Sequence, residues 1–213
     1  SPEKVVVTYN AVDERFKRSN ENDVDEIKER FGINGRFILY VGNQKPHKNV
    51  RMLIEAYQLL RGKVNLKLVI VGKKDLLFYR GLNDNMLEGV IFVGDISDAL
   101  MPRFYSGAEM YVSPSLYEGF GLPLIEAMAC RTPVVALSTP SSDEVLDNAG
   151  YIVNENQPEE LANCIDTVLL DSNLRNCLVE KGVERIKQFS WEKSAKKILE
   201  IYYQVHSDNN LPQ

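Results

Sequence analysis

Two carboxylates, Glu118 and Glu126, bracket the stretch Glu118-Gly-Phe-Gly-Leu-Pro-Leu-Ile-Glu126. Gly119 and Gly121 let the backbone between them approach a ligand closely, because neither carries a Cβ. Pro123 suits the first turn of a helix, where its missing N–H costs nothing. The N–H groups of that turn, with the positive end of the helix dipole behind them, favour an anion such as phosphate. A carboxylate accepts two hydrogen bonds and so can hold a vicinal diol. Acids beside a phosphate-binding turn describe a site for a nucleoside diphosphate carrying a sugar. The same residues also fit an ordinary strand–turn–helix unit with one exposed glutamate, since an isolated Gly-x-Gly is a weak signal. Its place at the mouth of a parallel strand, where open α/β sheets bind ligands, raises the functional reading.

A second cluster is Asn43-Gln-Lys45-Pro-His47-Lys48-Asn49. It follows an apolar run and precedes an amphipathic one. Lys48 is its best-placed candidate to neutralise a phosphate. The loop fits equally a solvated turn with Asn49 capping the next helix. Asp23-Val-Asp25 has the look of a metal-holding pair, but acids in the first turn of a helix complement its dipole. The same reading covers Asp84. The two histidines, His47 and His206, are too few for a multi-histidine metal centre, and Cys130, Cys164 and Cys177 lack a metal-site spacing. The cysteines read as three buried thiols of a reducing compartment.

These groups need a frame to hold them. Apolar runs at 37–42, 66–72, 90–94, 110–113, 133–137 and 150–153 read as strands, and the continuous hydrophobicity of the first suggests burial on both faces. Residues 4–9 read as a strand or extended connector and 10–18 as a loop. Helical spacing marks 23–31, closed by Gly32 and Gly35, then 50–61 and a weaker helix over 73–88. Further helices are expected from Asp95-Ile-Ser97 to about 107, from a Ser141 cap to 146, and over 158–170, 174–188 and 191–206, the last capped by Ser190. Trp191, Ile198, Ile201 and Tyr202 give that last helix an apolar stripe, which suits either core or a docking surface. Alternating strands and helices imply a doubly wound parallel sheet of α/β class, because parallel neighbours need a helical crossover. The loops at 43–49, 95–97, 114–121 and 138–142 all follow strand ends and should meet at one edge.

The whole chain sets bounds. It has 213 residues, 44% hydrophobic and 26% charged, with a net charge of −5. That balance argues against non-specific nucleic-acid binding and a basic membrane-binding face. No apolar run has transmembrane length, and the N-terminus shows no signal-peptide pattern. Lacking an initial methionine, the chain reads as a piece excised from a longer one. No Gly-x-Gly-x-x-Gly follows the first strand, which counts against a dinucleotide-dependent dehydrogenase.

Taken together, these motifs resemble a known family. Glu118-Gly-Phe-Gly-Leu-Pro-Leu-Ile-Glu126-Ala-Met-Ala is similar to the E-x7-E signature of the large retaining glycosyltransferase family 4, which has the GT-B architecture of two Rossmann-like domains facing across a cleft. The resemblance extends to Val41-Gly42 with Pro46-His47-Lys48-Asn49, to Phe92-Val-Gly-Asp95, to Tyr111-Val-Ser-Pro-Ser115 and to Phe189-Ser-Trp191-Glu192. It also takes in the opening Tyr9-Asn-Ala-Val-Asp13-Glu-Arg-Phe16. It implies a C-terminal donor-binding half: 1–20 a linker from a missing N-terminal domain, 21–188 a nucleotide-sugar-binding Rossmann-like domain, 189–206 a closing helix for the missing half, and 207–213 a tail.

The resemblance also implies roles. Glu118 would hold sugar hydroxyls near the reacting carbon, and Glu126 the ribose. Backbone N–H groups of Gly119, Phe120, Gly121 and Leu122 would cradle the diphosphate and sugar. Lys48 would neutralise the leaving diphosphate, and the backbone at Ile96 would meet the base. Asn43, Lys45 and His47 join the donor-binding set. Asn43 stands where arginine is frequent, with Lys45 as a compensating cation. Arg131 stands where glycine is usual, and the 141–144 segment is shorter than usual. No metal or other cofactor is implied. The implied partners are a GDP- or UDP-linked sugar and a saccharide or lipid-linked acceptor, with the whole protein cytoplasmic and peripheral at the membrane. A GT-B nucleotide-sugar epimerase and a non-catalytic nucleotide-sugar-binding domain are the alternatives.

Overall fold

The computed structural model describes residues 5–209. After a segment over residues 5–13 without regular secondary structure, the elements run α1 (Glu21–Arg30), β1 (Arg36–Val41), α2 (Val50–Leu60), β2 (Leu66–Val71), α3 (Leu76–Arg80), α4 (Asp84–Leu87) and β3 (Val90–Gly94). They continue α5 (Met101–Gly107), β4 (Met110–Ser113), α6 (Leu122–Ala129), β5 (Val134–Leu137), α7 (Pro140–Leu146) and β6 (Tyr151–Val153), and close with α8 (Pro158–Leu170), α9 (Ser172–Arg185) and α10 (Trp191–Asn209).

The six strands form one sheet in the order β3-β2-β1-β4-β5-β6, and every pairing is parallel. Alternation explains the unbroken apolar runs. In β1, Ile38 and Tyr40 face the α2 and α8 side, while Phe37 and Leu39 face the α1, α5 and α6 side. Leu68 and Ile70 against Val69 and Val71 repeat the division in β2. A strand covered by helices on both faces must be apolar at both parities. The expected doubly wound α/β fold is therefore present.

Several local expectations need correction. The helix expected over 73–88 is broken in two. The chain turns at Gly81, whose N–H bonds Phe78, and Asn83 then caps a new helix by accepting from Met86 N at 3.0 Å. Residues 95–100 are not helical. Hydrogen-bonded turns at Leu100 and Met101 carry the chain to α5, where Pro102 occupies the first turn. The cap of α7 is Thr139 rather than Ser141, in a reciprocal box with Ser142. Asn49 precedes α2 in a left-handed conformation, φ 53°, and its side chain makes no cap bond. Asp171 caps α9 two residues earlier than expected. Cys177 is exposed, so only Cys130 and Cys164 are the buried thiols envisaged. Trp191, Ile198 and Tyr202 of α10 are exposed too, so the stripe is not core. Residues 1–4 of the expected linker and 210–213 of the expected tail lie outside the described residues, while 207–209 continue α10. Among the described residues, no helix is long and apolar enough to cross a membrane.

At the end of α6 Arg131 takes the place where glycine is favoured. Its φ is 60°; its N–H bonds Met128 O, and Thr132 N–H bonds Ala127 O, which together form a Schellman turn. A left-handed non-glycine residue costs roughly 1–2 kcal/mol, and glycine's extra chain entropy roughly 0.5–1 kcal/mol. Arg131→Gly is therefore expected to raise stability by about 0.5–1 kcal/mol, seen as a higher urea midpoint at unchanged slope. An unchanged midpoint would show that arginine contacts offset the strain.

Candidate functional site

The sheet order changes direction between β1 and β4, which are hydrogen-bonded neighbours. Loops leaving such a pair diverge and leave a crevice beyond the strand ends. Residues 42–49 form one side of it, and residues 114–121 the other.

The first loop is held by its own polar atoms. Tyr40 OH donates to Asn43 O at 2.7 Å. The side chain of Gln44, only 3% exposed, donates to Gly42 O at 3.2 Å and accepts from Asp75 N at 2.9 Å. A 3-10 turn over Pro46–Lys48 then points Lys48 across the crevice. The second loop is anchored on the first, since Leu116 N–H donates to His47 O at 2.9 Å. It ends at Gly121, whose φ of 96° requires glycine and which leads into α6 with Pro123 in the first turn.

Lys48 and Glu118, 70 positions apart in sequence, meet here. Lys48 Nζ donates to both carboxylate oxygens, at 2.6 and 2.7 Å, and both side chains are under one-fifth exposed. Glu118, the backbone of Gly119, Phe120, Gly121 and Leu122, and Asn10 line a shallow cavity of about 500 Å³. On its far side Leu122 and Pro123 also border a second cavity of about 560 Å³ that reaches Glu126. The floor of that cavity is main chain at Gly42 and Gly72. The two backbones touch so closely that a Cβ on Gly72 would lie 2.1 Å from Gly42 O. Ile96, Asp95 and Asp98 form one wall and Asn43 another, while Asp13, Arg15 and Phe16 of the opening segment close the rim. Arg15 donates to both Asp13 oxygens, at 2.9 and 3.0 Å, which keeps its guanidinium in place.

Glu126 accepts a hydrogen bond from Tyr105 OH at 2.7 Å. Burial raises the pKa of this carboxyl above its ordinary 4.5; the Tyr105 bond opposes the shift and the charge of Asp98 adds to it. The Tyr105 phenol is pushed well above 10 by complete burial, with the Glu126 charge adding. It therefore stays protonated and remains a donor.

Lys48 itself borders neither cavity and meets the first through Glu118, and some other expected residues lie elsewhere. Lys45 faces away, into a separate cavity of about 550 Å³ between the first loop and α3, beside Leu77 and Phe78. Lys45 lies before the 3-10 turn, in extended backbone, and so is not presented with Lys48. His47 is exposed and contributes its carbonyl. Phe120 borders the first cavity, and its ring meets those of Tyr9 and Phe189 at 6.1 and 5.6 Å between centroids. The loop at 138–142 follows a strand end on the same edge but is consumed by the α7 capping box and borders neither cavity. Asp23 pairs with Arg103 at 3.2 Å across to α5. Sequence reasoning missed Tyr105, Gln44 and Arg15. Tyr105 carried one usable signal, a tyrosine beside Phe104 in an expected helix, where a buried hydroxyl needs a partner.

A family model described as glycosyl transferases group 1 matches residues 23–185. The O-antigen chain mannosyltransferase B of Escherichia coli is 35% identical over 176 residues, covering 78% of this chain and 45% of that protein. The N-acetylgalactosamine-N,N'-diacetylbacillosaminyl-diphospho-undecaprenol 4-alpha-N-acetylgalactosaminyltransferase of Campylobacter jejuni is 32% identical, covering 93% of this chain and 53% of its own length. The solved structure of Anabaena HepE in complex with UDP-glucose superimposes with a TM-score of 0.85 at 21% identity, covering 96% of this chain and 58% of that one; at that identity the likeness shows the fold alone. The chain thus spans about half the length of the curated relatives it matches.

Surface ion pairs contribute up to about 1 kcal/mol, whereas breaking a fully buried one costs roughly 3–5 kcal/mol. The Lys48–Glu118 pair, at 18% and 19% exposure, lies between these limits. Lys48→Met and Glu118→Gln are each expected to lower stability by about 1–2 kcal/mol. Their effects should fall short of additive in the double variant, by about 1 kcal/mol in a double-mutant cycle. Strict additivity would show that the two side chains do not interact in solution.

Proposed function

Because the chain belongs to the glycosyl transferases group 1 family, we propose that it is the donor-binding half of a retaining glycosyltransferase and holds a nucleoside diphosphate sugar between the loops after β1 and β4. The observation that carries this reading is the Lys48–Glu118 pair, closed at 2.6 Å beside the start of α6 and joined through Leu122 and Pro123 to the cavity of Glu126. The three groups suit three parts of one ligand. Glu126 accepts the ribose hydroxyls, and the Ile96 wall takes the base. The main chain from Gly119 to Leu122, at the positive end of α6, takes the diphosphate. Glu118 faces the sugar hydroxyls. Lys48 has three N–H donors and uses two on Glu118, so a third remains for the departing phosphate, where charge grows as the glycosidic bond breaks.

The relatives favour a GDP- or UDP-linked hexose. One is named a mannosyltransferase, and one neighbour was solved with UDP-glucose. A relative named for a diphospho-undecaprenol substrate favours a lipid-linked or saccharide acceptor in polysaccharide or glycoconjugate synthesis. An enzyme with such an acceptor works peripherally at the cytoplasmic face of a membrane. We assign the acceptor and part of the catalytic machinery to a preceding half joined through the segment up to residue 20, and the exposed Trp191, Ile198 and Tyr202 stripe of α10 to contact with that half. The chain alone then binds donor without turning it over.

A thermal-shift screen of UDP- and GDP-sugars tests the donor assignment. A ligand at a hundredfold excess over its Kd stabilises by about 2.7 kcal/mol, or roughly 5–10 °C for a domain of this size. Absence of any shift across both series would overturn the reading.

The Glu126 carboxylate supplies a second test with a defined sign. Its folded pKa lies above the unfolded value, so the ionised side chain costs stability at neutral pH. That cost is full above the raised value and vanishes as pH falls below about 4.5, the ordinary value. Glu126→Gln should therefore raise the ligand-free melting temperature at pH 7 while removing most of the nucleotide-induced shift. In the parent chain, nucleotide affinity should weaken as pH falls through the raised value, because a protonated carboxyl loses acceptor capacity.

A further inference from the structure

We propose that Tyr105 is a positioning residue for the ribose end of the donor, its hydroxyl fixing one oxygen of Glu126 so that the other is presented to the cavity. The inference rests on the donor-binding reading above and adds the group that makes Glu126 a directed acceptor. Tyr105 is completely buried on α5, and its OH donates to Glu126 Oε2 at 2.7 Å. Among the described residues no other hydrogen bond reaches that carboxylate.

The phenol has little freedom. Its ring meets Phe16 and Tyr111 edge-on, at 6.0 and 5.8 Å between centroids. Its own carbonyl accepts from Thr132 Oγ1 at 2.7 Å, which ties α5 to the turn after α6. Glu126 sits on α6 with its side chain at the cavity wall. An unrestrained glutamate would lose rotamer entropy on gripping a diol. One held by a fixed donor has already lost it, and affinity gains accordingly. The geometry also divides the labour: Oε2 is engaged by protein, so Oε1 is the oxygen for the 2′- and 3′-hydroxyls.

The test is calorimetric titration of the chain with UDP, with GDP and with 2′,3′-dideoxyuridine diphosphate. Tyr105→Phe keeps the ring and removes the donor. It should weaken UDP or GDP binding about tenfold, the equivalent of one hydrogen bond to a charged group, and leave the dideoxy nucleotide unaffected. In a Glu126→Ala background the same change should cause no further loss. Should Tyr105→Phe fail to fold, Thr132→Val, which releases the tie to the Tyr105 carbonyl without touching Glu126, is expected to give a smaller loss confined to the ribose nucleotides, and an equal loss for the dideoxy nucleotide would count against the proposal. Equal losses for ribose and dideoxyribose, or an added loss in the Glu126→Ala background, would assign Tyr105 a merely structural role and overturn the proposal. A parent chain that binds nucleotide while Tyr105→Phe binds it equally well overturns the proposal alone. A parent chain that binds neither UDP nor GDP overturns the donor-binding reading, and the proposal with it.

Discussion

Parallel strands β1 and β4 lie side by side, yet the chain leaves them toward opposite flanks of the sheet. Their loops would drift apart but for two ties: the hydrogen bond from Leu116 N–H to His47 O, and the ion pair of Lys48 with Glu118. Both span the same crevice. The main-chain bond sets the spacing of the loops, and the ion pair sets the direction of two charged side chains. A lysine and a glutamate this little exposed lose much of their hydration and, among the described residues, hydrogen-bond through their charged ends only to each other. The remaining features of the site depend on that spacing. The start of α6 faces an opening of fixed width, and the cavity of Glu126 continues from it.

Most of the frame could be read from the chain because burial on both faces demands apolar residues at every position of a central strand. Runs such as Phe-Ile-Leu-Tyr-Val at 37–41 admit few other uses. Junctions were harder. Nothing in the apolar spacing of 73–88 distinguishes one frayed helix from two short ones, because the decision lies in the turn at Gly81 and the cap at Asn83. The site divides along the same line. Glu118 and Lys48 stood out as charges in glycine- and proline-bearing loops at strand ends, and Glu126 by its fixed spacing from Glu118 within the following helix. Lys45 was grouped with them by sequence proximity, yet it precedes the 3-10 turn in extended backbone and is not carried on the turn that presents Lys48. Tyr105 and Gln44 act from inside the fold, where their types alone look like ordinary core and loop.

The opening segment and α10 are part of this arrangement and not appendages to it. Tyr9 OH donates to Glu144 on α7, while Tyr9 O accepts from Ser194 on α10. Its ring joins Phe120 of the glycine loop and Phe189 before α10 in one aromatic cluster. Arg185 stacks over Phe189 and donates to Glu144 O and Val145 O. The residues on either side of the sheet domain are thus fastened to each other and to the loop that bears Glu118.

The contact between Gly42 and Gly72 carries a different implication. Where two main chains abut with no room for a Cβ, the surface above them has no rotamers to sample and no side chain to exchange. That part of the cavity is a rigid datum with a fixed shape. Any divergence in ligand preference among proteins sharing this scaffold has to be written at the perimeter, at positions such as Asn43, Lys73 and Asp98. There a substitution alters chemistry without disturbing the strands beneath.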